Sequence, residues 1–180
     1  RRQVQVLKGM GCNSIRVTHN PAAQVLIDVC NEEGMLVIDE AFDGWDRMKN
    51  GNTNDYARFF GTAIEADNNI LGKETDMTWA EYDIKTMVLR GKNAPSVILW
   101  SLGNEITEGS SGCEHYPQIA DDLIAWVGEV EIDANRKITF GDNKLKQNNS
   151  TTAAVANKIH AAGGLVGFNY TDWNTIKDKT

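Results

Sequence analysis

Glu105 stands where an apolar run meets a polar turn, in Trp100-Ser101-Leu102-Gly103-Asn104-Glu105. A carboxylic acid held at the end of a buried strand can protonate a departing oxygen and later take a proton from water, which is what glycoside cleavage requires. That work needs a pKa lifted toward neutrality by burial or by a neighbouring carboxylate. Asn104 beside it offers an amide to a sugar hydroxyl. By position alone, Glu105 could equally open the next helix as a solvated acid. Polar groups recur after other apolar runs: His19, Asp39-Glu40, Asp142-Asn143 and Asn169-Tyr170.

Such groups need a scaffold that gathers strand ends. Strand-like and helix-like segments alternate along the chain, the pattern of βαβ units and a parallel sheet. Helices are expected over 1–10, 22–33, 79–90, 116–130 and 151–162, with Gly11, Gly34 and Gly163-Gly164 as stops. Pro21 is placed for a helix start. Val25, Leu26, Val29 and Cys30 form the expected inner face of the second helix. Strands are expected over 12–18, 35–38, 96–102, 137–140 and 165–168. Ala41 to about Asp76 is long, irregular and rich in Gly, Asn, Asp and aromatics, a length that marks a functional or disordered loop. No GxGxxG turn follows a strand, as a dinucleotide-binding doubly wound sheet would show. Polar residues at every strand end favour a barrel, whose site collects residues from the C-terminal ends of its strands. The expected fold is α/β, a (β/α)8 TIM barrel forming one domain over 1–180. It is incomplete, because eight units need about 250 residues and this length holds roughly five or six.

The 180 residues are 41% hydrophobic and 24% charged, with a formal net charge of −7. This acidity argues against nucleic-acid binding, which needs a basic face, and suits a neutral substrate. No apolar stretch reaches transmembrane length. No leader is visible and the first residue is not methionine, so the chain reads as cut from something larger and its location stays open. An oligomer is possible. Cys12, Cys30 and Cys113 are odd in number and contain no CxxC, which points to buried free thiols. His19, His115 and His160 form no HxH or HExxH set, and no phosphate loop appears, so no metal or other cofactor is expected.

Three ordered motifs resemble glycoside hydrolase family 2. Trp100 to Glu105 looks like its acid/base motif. Arg16-Val17-Thr18-His19-Asn20-Pro21 is similar to its Arg-x-Ser-His-x-Pro signature, with Thr18 in place of serine. Leu36-Val37-Ile38-Asp39-Glu40-Ala41 resembles the end of its third barrel strand. The resemblance spans essentially the whole chain, approximately barrel strands 2–6. It implies Glu105 as general acid/base, His19 and Asp39 as substrate-binding residues, and Tyr170 as the tyrosine beside the nucleophile, able to hold its carboxylate; Asn104, by its amide, and Trp45, by its loop, join the substrate-binding set. Arg16 and Glu40 would support them, with Asp39 facing the substrate and Glu40 the network. Trp45, in the loop after the strand, is the preferred sugar-stacking face. The family's nucleophile is a glutamate at the end of its seventh strand. The last strand here resembles the sixth, and no glutamate follows Glu131, so the nucleophile is absent. Some β-galactosidases of the family hold a cation through Glu-x-His after the third strand. This chain has Gly44-Trp45-Asp46 there, so no metal is implied. The stretches Glu40-Ala41-Phe42-Asp43 and Asp55 to Phe60 look like bacterial β-galactosidases. The implied reaction is hydrolysis of terminal β-D-galactosides with retention. β-Glucuronidase or β-mannosidase activity on the same scaffold, or a barrel that binds glycans without cleaving them, are the alternatives.

The isolated 180-residue chain is therefore expected to lack turnover. Saturable hydrolysis of a nitrophenyl β-glycoside by the purified chain would overturn that placement of the nucleophile.

Overall fold

The computed structural model describes residues 1–65, 77–132 and 136–177. Helix α1 (Arg2–Gly9) leads to strand β1 (Ser14–Val17), helix α2 (Gln24–Glu33) and strand β2 (Leu36–Glu40). A 3-10 turn (Lys49–Gly51) and the short helix α3 (Ala57–Phe60) occupy the irregular segment, of which residues 66–76 lie outside the described residues. Helix α4 (Trp79–Gly91), strand β3 (Val97–Asn104), helix α5 (Tyr116–Val130) and strand β4 (Lys137–Asp142) follow. A 3-10 turn (Leu145–Gln147), helix α6 (Ser150–Ala161), strand β5 (Leu165–Phe168) and helix α7 (Trp173–Ile176) complete the order.

Among the described residues the four pairings of this sheet are parallel, and its order is β1-β2-β3-β4-β5. A doubly wound sheet reverses its strand order at a switch point. Here each strand pairs only with its neighbours in sequence, as in an arc of a TIM barrel. Alternate strand residues therefore divide between a helix-covered face and an inner face. Val37, Trp100, Leu102, Ile138 and Phe140 join the buried cluster with the helices. Arg16, Glu40 and Ser101 take the other parity and gather at the inner face.

Local chemistry explains the element limits. Gly34 caps α2 at φ +68, where its N–H bonds the Cys30 carbonyl, a backbone conformation that favours glycine. Thr78 caps α4 by accepting the Glu81 N–H. Helix α2 begins at Gln24, so Pro21 precedes it instead of opening it. Ile27 and Cys30 are its fully buried residues, whereas Val25 is 68% exposed and leaves the expected inner face. Cys12 is exposed, correcting the expectation of three buried thiols, while Cys30 and Cys113 are buried. No described helix is long and apolar enough to cross a membrane.

Gly91 lets α4 seat on the sheet. A Cβ there would lie 2.7 Å from Cη2 of Trp100, whose side chain is fully buried. Helix propensity alone would favour alanine by up to about 1 kcal/mol. Overpacking of about 1–3 kcal/mol outweighs it. Gly91→Ala is expected to lower the urea midpoint of unfolding; a raised midpoint would mean that the Trp100 pocket yields.

Candidate functional site

The strand ends surround a cavity of about 710 Å³, whose walls include Arg16, His19, Asp43, Lys49, Asn104, Glu105, Asn169 and Tyr170. Its base is organised by Glu40. Arg16 pairs in register with Ile38, so Glu40, two residues on, shares the face of Arg16. The Arg16 guanidinium donates to Glu40 Oε2 through Nε at 2.8 Å and Nη2 at 2.5 Å. Ser101 Oγ donates to the same oxygen at 2.6 Å. His19 Nδ1 lies 2.5 Å from Oε1. A carboxylate only accepts, so Nδ1 carries a proton and Nε2 remains for a hydroxyl in the cavity. Glu40 is wholly buried, and these donors supply what water would.

The network reaches the strand end beyond it. Arg16 Nη2 donates to Asn104 Oδ1 at 3.0 Å. Asn169 Nδ2 donates to Asn104 Oδ1 at 3.0 Å and to Glu105 Oε1 at 2.9 Å. Asn104 Nδ2 donates to Asp43 Oδ1 at 3.1 Å. The Glu105 N–H bonds the Gly141 carbonyl at 2.7 Å, and Glu105 adopts φ +45. A non-glycine residue in that region is uncommon and is held there by its surroundings. Gly141 also leaves room: a Cβ would come within 3.0 Å of Asn169 Oδ1 and 3.1 Å of Arg16 Nη2. Tyr170 stands at the rim, 82% exposed, with φ +53.

Two expected substrate contacts are corrected. Asp39 does not line the cavity. It has the opposite parity to Glu40, is wholly buried, and accepts the Ala22 N–H at 2.7 Å beneath the loop before α2. Burial pushes its carboxyl above the usual range, although the Ala22 N–H and Arg90 oppose that. Trp45 presents no face to a sugar. It is fully buried, tilts against Tyr116 at 5.0 Å, and donates its indole N–H to the Leu102 carbonyl at 3.0 Å. A buried indole needs such a partner, and β3 shifts register between Ser101 and Asn104. Gly103 admits the ring, since a Cβ there would sit 2.9 Å from Nε1.

Sequence reasoning gave no role to Ser101, Asp43 or Lys49, and marked Asn169 only as a polar strand-end residue. Strand parity could have found Ser101, and Asn169 occupies the strand-end position noted for Asn169-Tyr170. Lys49 carried no signal. Its ammonium donates to Asp43 Oδ1 and to the Asn104 carbonyl, each at 2.7 Å. Burial disfavours charge on Asp43, but Lys49 and the Asn104 amide outweigh it and hold the carboxyl below its usual range. Among the described residues, no three His, Cys, Asp or Glu side chains are grouped to hold a metal ion.

The chain matches the family model described as "Glycosyl hydrolases family 2, TIM barrel domain" over residues 1–166. It is 43% identical over 107 residues to a β-galactosidase of Bacteroides ovatus, covering 59% of this chain and 10% of that protein. It is 30% identical over 121 residues to a β-glucuronidase of Paenibacillus borealis, covering 67% of this chain and 18% of the relative. The solved structure of a glycosyl hydrolase family 2 member from Bacteroides cellulosilyticus superposes with a TM-score of 0.70 at 32% identity, over 94% of this chain and 18% of that one. The chain thus spans between a tenth and a fifth of the length of these relatives.

Asp142 closes β4 behind the site. Burial pushes its carboxyl up to about 6, opposed by the Lys144 and Leu145 N–H groups and assisted by the charge of Glu105. An acid whose folded pKa exceeds its unfolded value binds more protons when folded. The contribution of Asp142 to stability therefore falls as pH rises from about 4 to about 6, by roughly 3 kcal/mol. Asp142→Asn is expected to flatten that slope in denaturant titrations; an unchanged slope would mean that Asp142 ionises normally.

Proposed function

This chain belongs to glycosyl hydrolase family 2, within its TIM-barrel domain, and we propose that the enzyme it forms part of hydrolyses terminal β-D-galactosides with retention of configuration. Glu105 is the general acid/base. The observation that carries this reading is the Glu105 carboxyl at the cavity, with Asn169 donating to Oε1 and the backbone N–H tied to Gly141. Asn169 orients one oxygen, so Oε2 is the atom that meets the glycosidic oxygen.

In the first step Glu105 gives its proton to the leaving oxygen as the anomeric carbon passes to a carboxylate nucleophile elsewhere in the enzyme. Retention sets the two carboxyl groups about 5–5.5 Å apart. The Glu105 carboxylate then takes a proton from the water that releases the sugar. His19 Nε2, the second amide hydrogen of Asn104 and the Tyr170 hydroxyl bind sugar hydroxyls. Arg16 and Glu40 hold His19 and Asn104 in place.

The charge pattern favours a neutral sugar. Arg16 and Lys49, the two cations on this cavity among the described residues, each already hold a carboxylate. A uronate would have to compete with Glu40 or Asp43 for them. The likeness to the Bacteroides ovatus β-galactosidase supports the same choice. A β-glucuronidase is the second reading, supported by the likeness to the Paenibacillus borealis protein.

The test is a panel of nitrophenyl β-glycosides offered to the full-length enzyme and to Glu105→Gln. The expected result is cleavage of the β-galactoside and a loss of about 10²–10⁴-fold in the variant, the usual contribution of general acid/base catalysis. Cleavage of the β-glucuronide instead would move the sugar and keep Glu105. A variant as fast as wild type would remove Glu105 from the chemistry.

A further inference from the structure

The peptide joining Asn104 to Glu105 is held at both of its polar atoms. Its N–H, on Glu105, donates to the Gly141 carbonyl at 2.7 Å. Its carbonyl, on Asn104, accepts from the Lys49 ammonium at 2.7 Å. Glu105 follows in the left-handed region, at φ +45. Without both holds this peptide plane would turn toward a commoner backbone conformation and carry the carboxyl with it.

Lys49 is built for such a role. The residue is only 9% exposed, so its charge is largely withheld from water. Its backbone N–H donates to Asp55 Oδ2 at 3.0 Å, which anchors the turn from which the side chain reaches. Asp43 completes the clamp from the same loop. It bonds the ammonium through Oδ1 at 2.7 Å, the Asn104 amide through the same oxygen at 3.1 Å, and the Asn104 N–H through its backbone carbonyl at 3.1 Å. A charged donor bonds a carbonyl more strongly than a neutral one does, so the lysine outmatches a water at the same place.

We propose that Lys49 is a positioning residue for the general acid: its ammonium locks the Asn104–Glu105 peptide so that the Glu105 carboxyl meets the glycosidic oxygen. This rests on Glu105 being the acid/base. Lys49 acts through the peptide and transfers no proton.

The test compares kcat/KM for two aryl β-glycosides of the sugar that the full-length wild-type enzyme cleaves. A phenyl leaving group needs protonation, whereas 2,4-dinitrophenolate departs without it. Lys49→Met is expected to lose about 100-fold on the phenyl glycoside, within the usual span of acid catalysis, and less than about fivefold on the dinitrophenyl glycoside. A general disturbance of fold or sugar binding would lower both alike. Equal losses on both substrates, or none on either, would overturn the proposal. If Lys49→Met lacks the wild-type thermal transition, Asp43→Asn tests the same clamp from its half-exposed member, with the same selectivity expected and equal losses again decisive against it. Glu105→Gln runs in parallel. If it too spares the phenyl glycoside, the acid/base assignment fails; if it shows the leaving-group selectivity and Lys49→Met does not, only the role of Lys49 fails.

Discussion

A fully buried carboxylate, Glu40, must be met by donors, and the mouth of the sheet is arranged to supply them. Arg16 comes from β1, His19 from the turn after β1, and Ser101 from β3. Each contact joins a different part of the chain to the end of β2. Removing any one would leave part of a buried charge without a partner, a cost of several kcal/mol in comparable cases. The five-stranded arc therefore carries a polar interior at one end while its helix-covered face is an ordinary apolar core.

From that anchor the order spreads outward through shared atoms. Arg16 serves both Glu40 and Asn104, and Asn169 serves both Asn104 and Glu105. Groups from β1, β2, β3 and the end of β5 thus set one another's orientation. Such networks either satisfy every member or destabilise the whole, so they specify one arrangement of side chains. The acid/base role proposed for Glu105 needs this kind of constraint, because a misplacement of about 1 Å weakens proton transfer. The small residues belong to the same argument. Gly103 makes room for Trp45, and Gly141 makes room for Arg16 and Asn169.

Much of this was legible in the amino-acid order. The alternation of apolar runs with helical periods pointed to parallel βαβ units, and polar residues at each strand end pointed to a barrel mouth. Helix α5 and strand β5 fall where periodicity predicts them. In α2, Leu26, Val29 and Cys30 pack in or against the core as expected, but Val25 is exposed, because an apolar period marks a stripe without fixing its edge. Asp39 and Glu40 illustrate a sharper limit. Adjacent strand residues take opposite faces, but sequence does not say which faces which way. The pairing of Arg16 with Ile38 decides it: Glu40 shares the inner face with Arg16, while Asp39 takes the opposite face and accepts the Ala22 N–H.

What the sequence by itself determined was the set of strand ends and the acid standing on one of them, since those follow from local hydrophobic pattern and short motifs. The tertiary structure alone decided which polar groups meet. Lys49 reaches the Asn104 carbonyl across 55 positions and Asn169 reaches Glu105 across 64. Trp45 turns inward to Leu102 across 57. Such contacts depend on the stagger of neighbouring strands and the path of a loop, and neither leaves a period or a motif in the chain. Burial then assigns their strength, because the same ammonium or carboxylate that would be screened in water acts at full force where water is excluded.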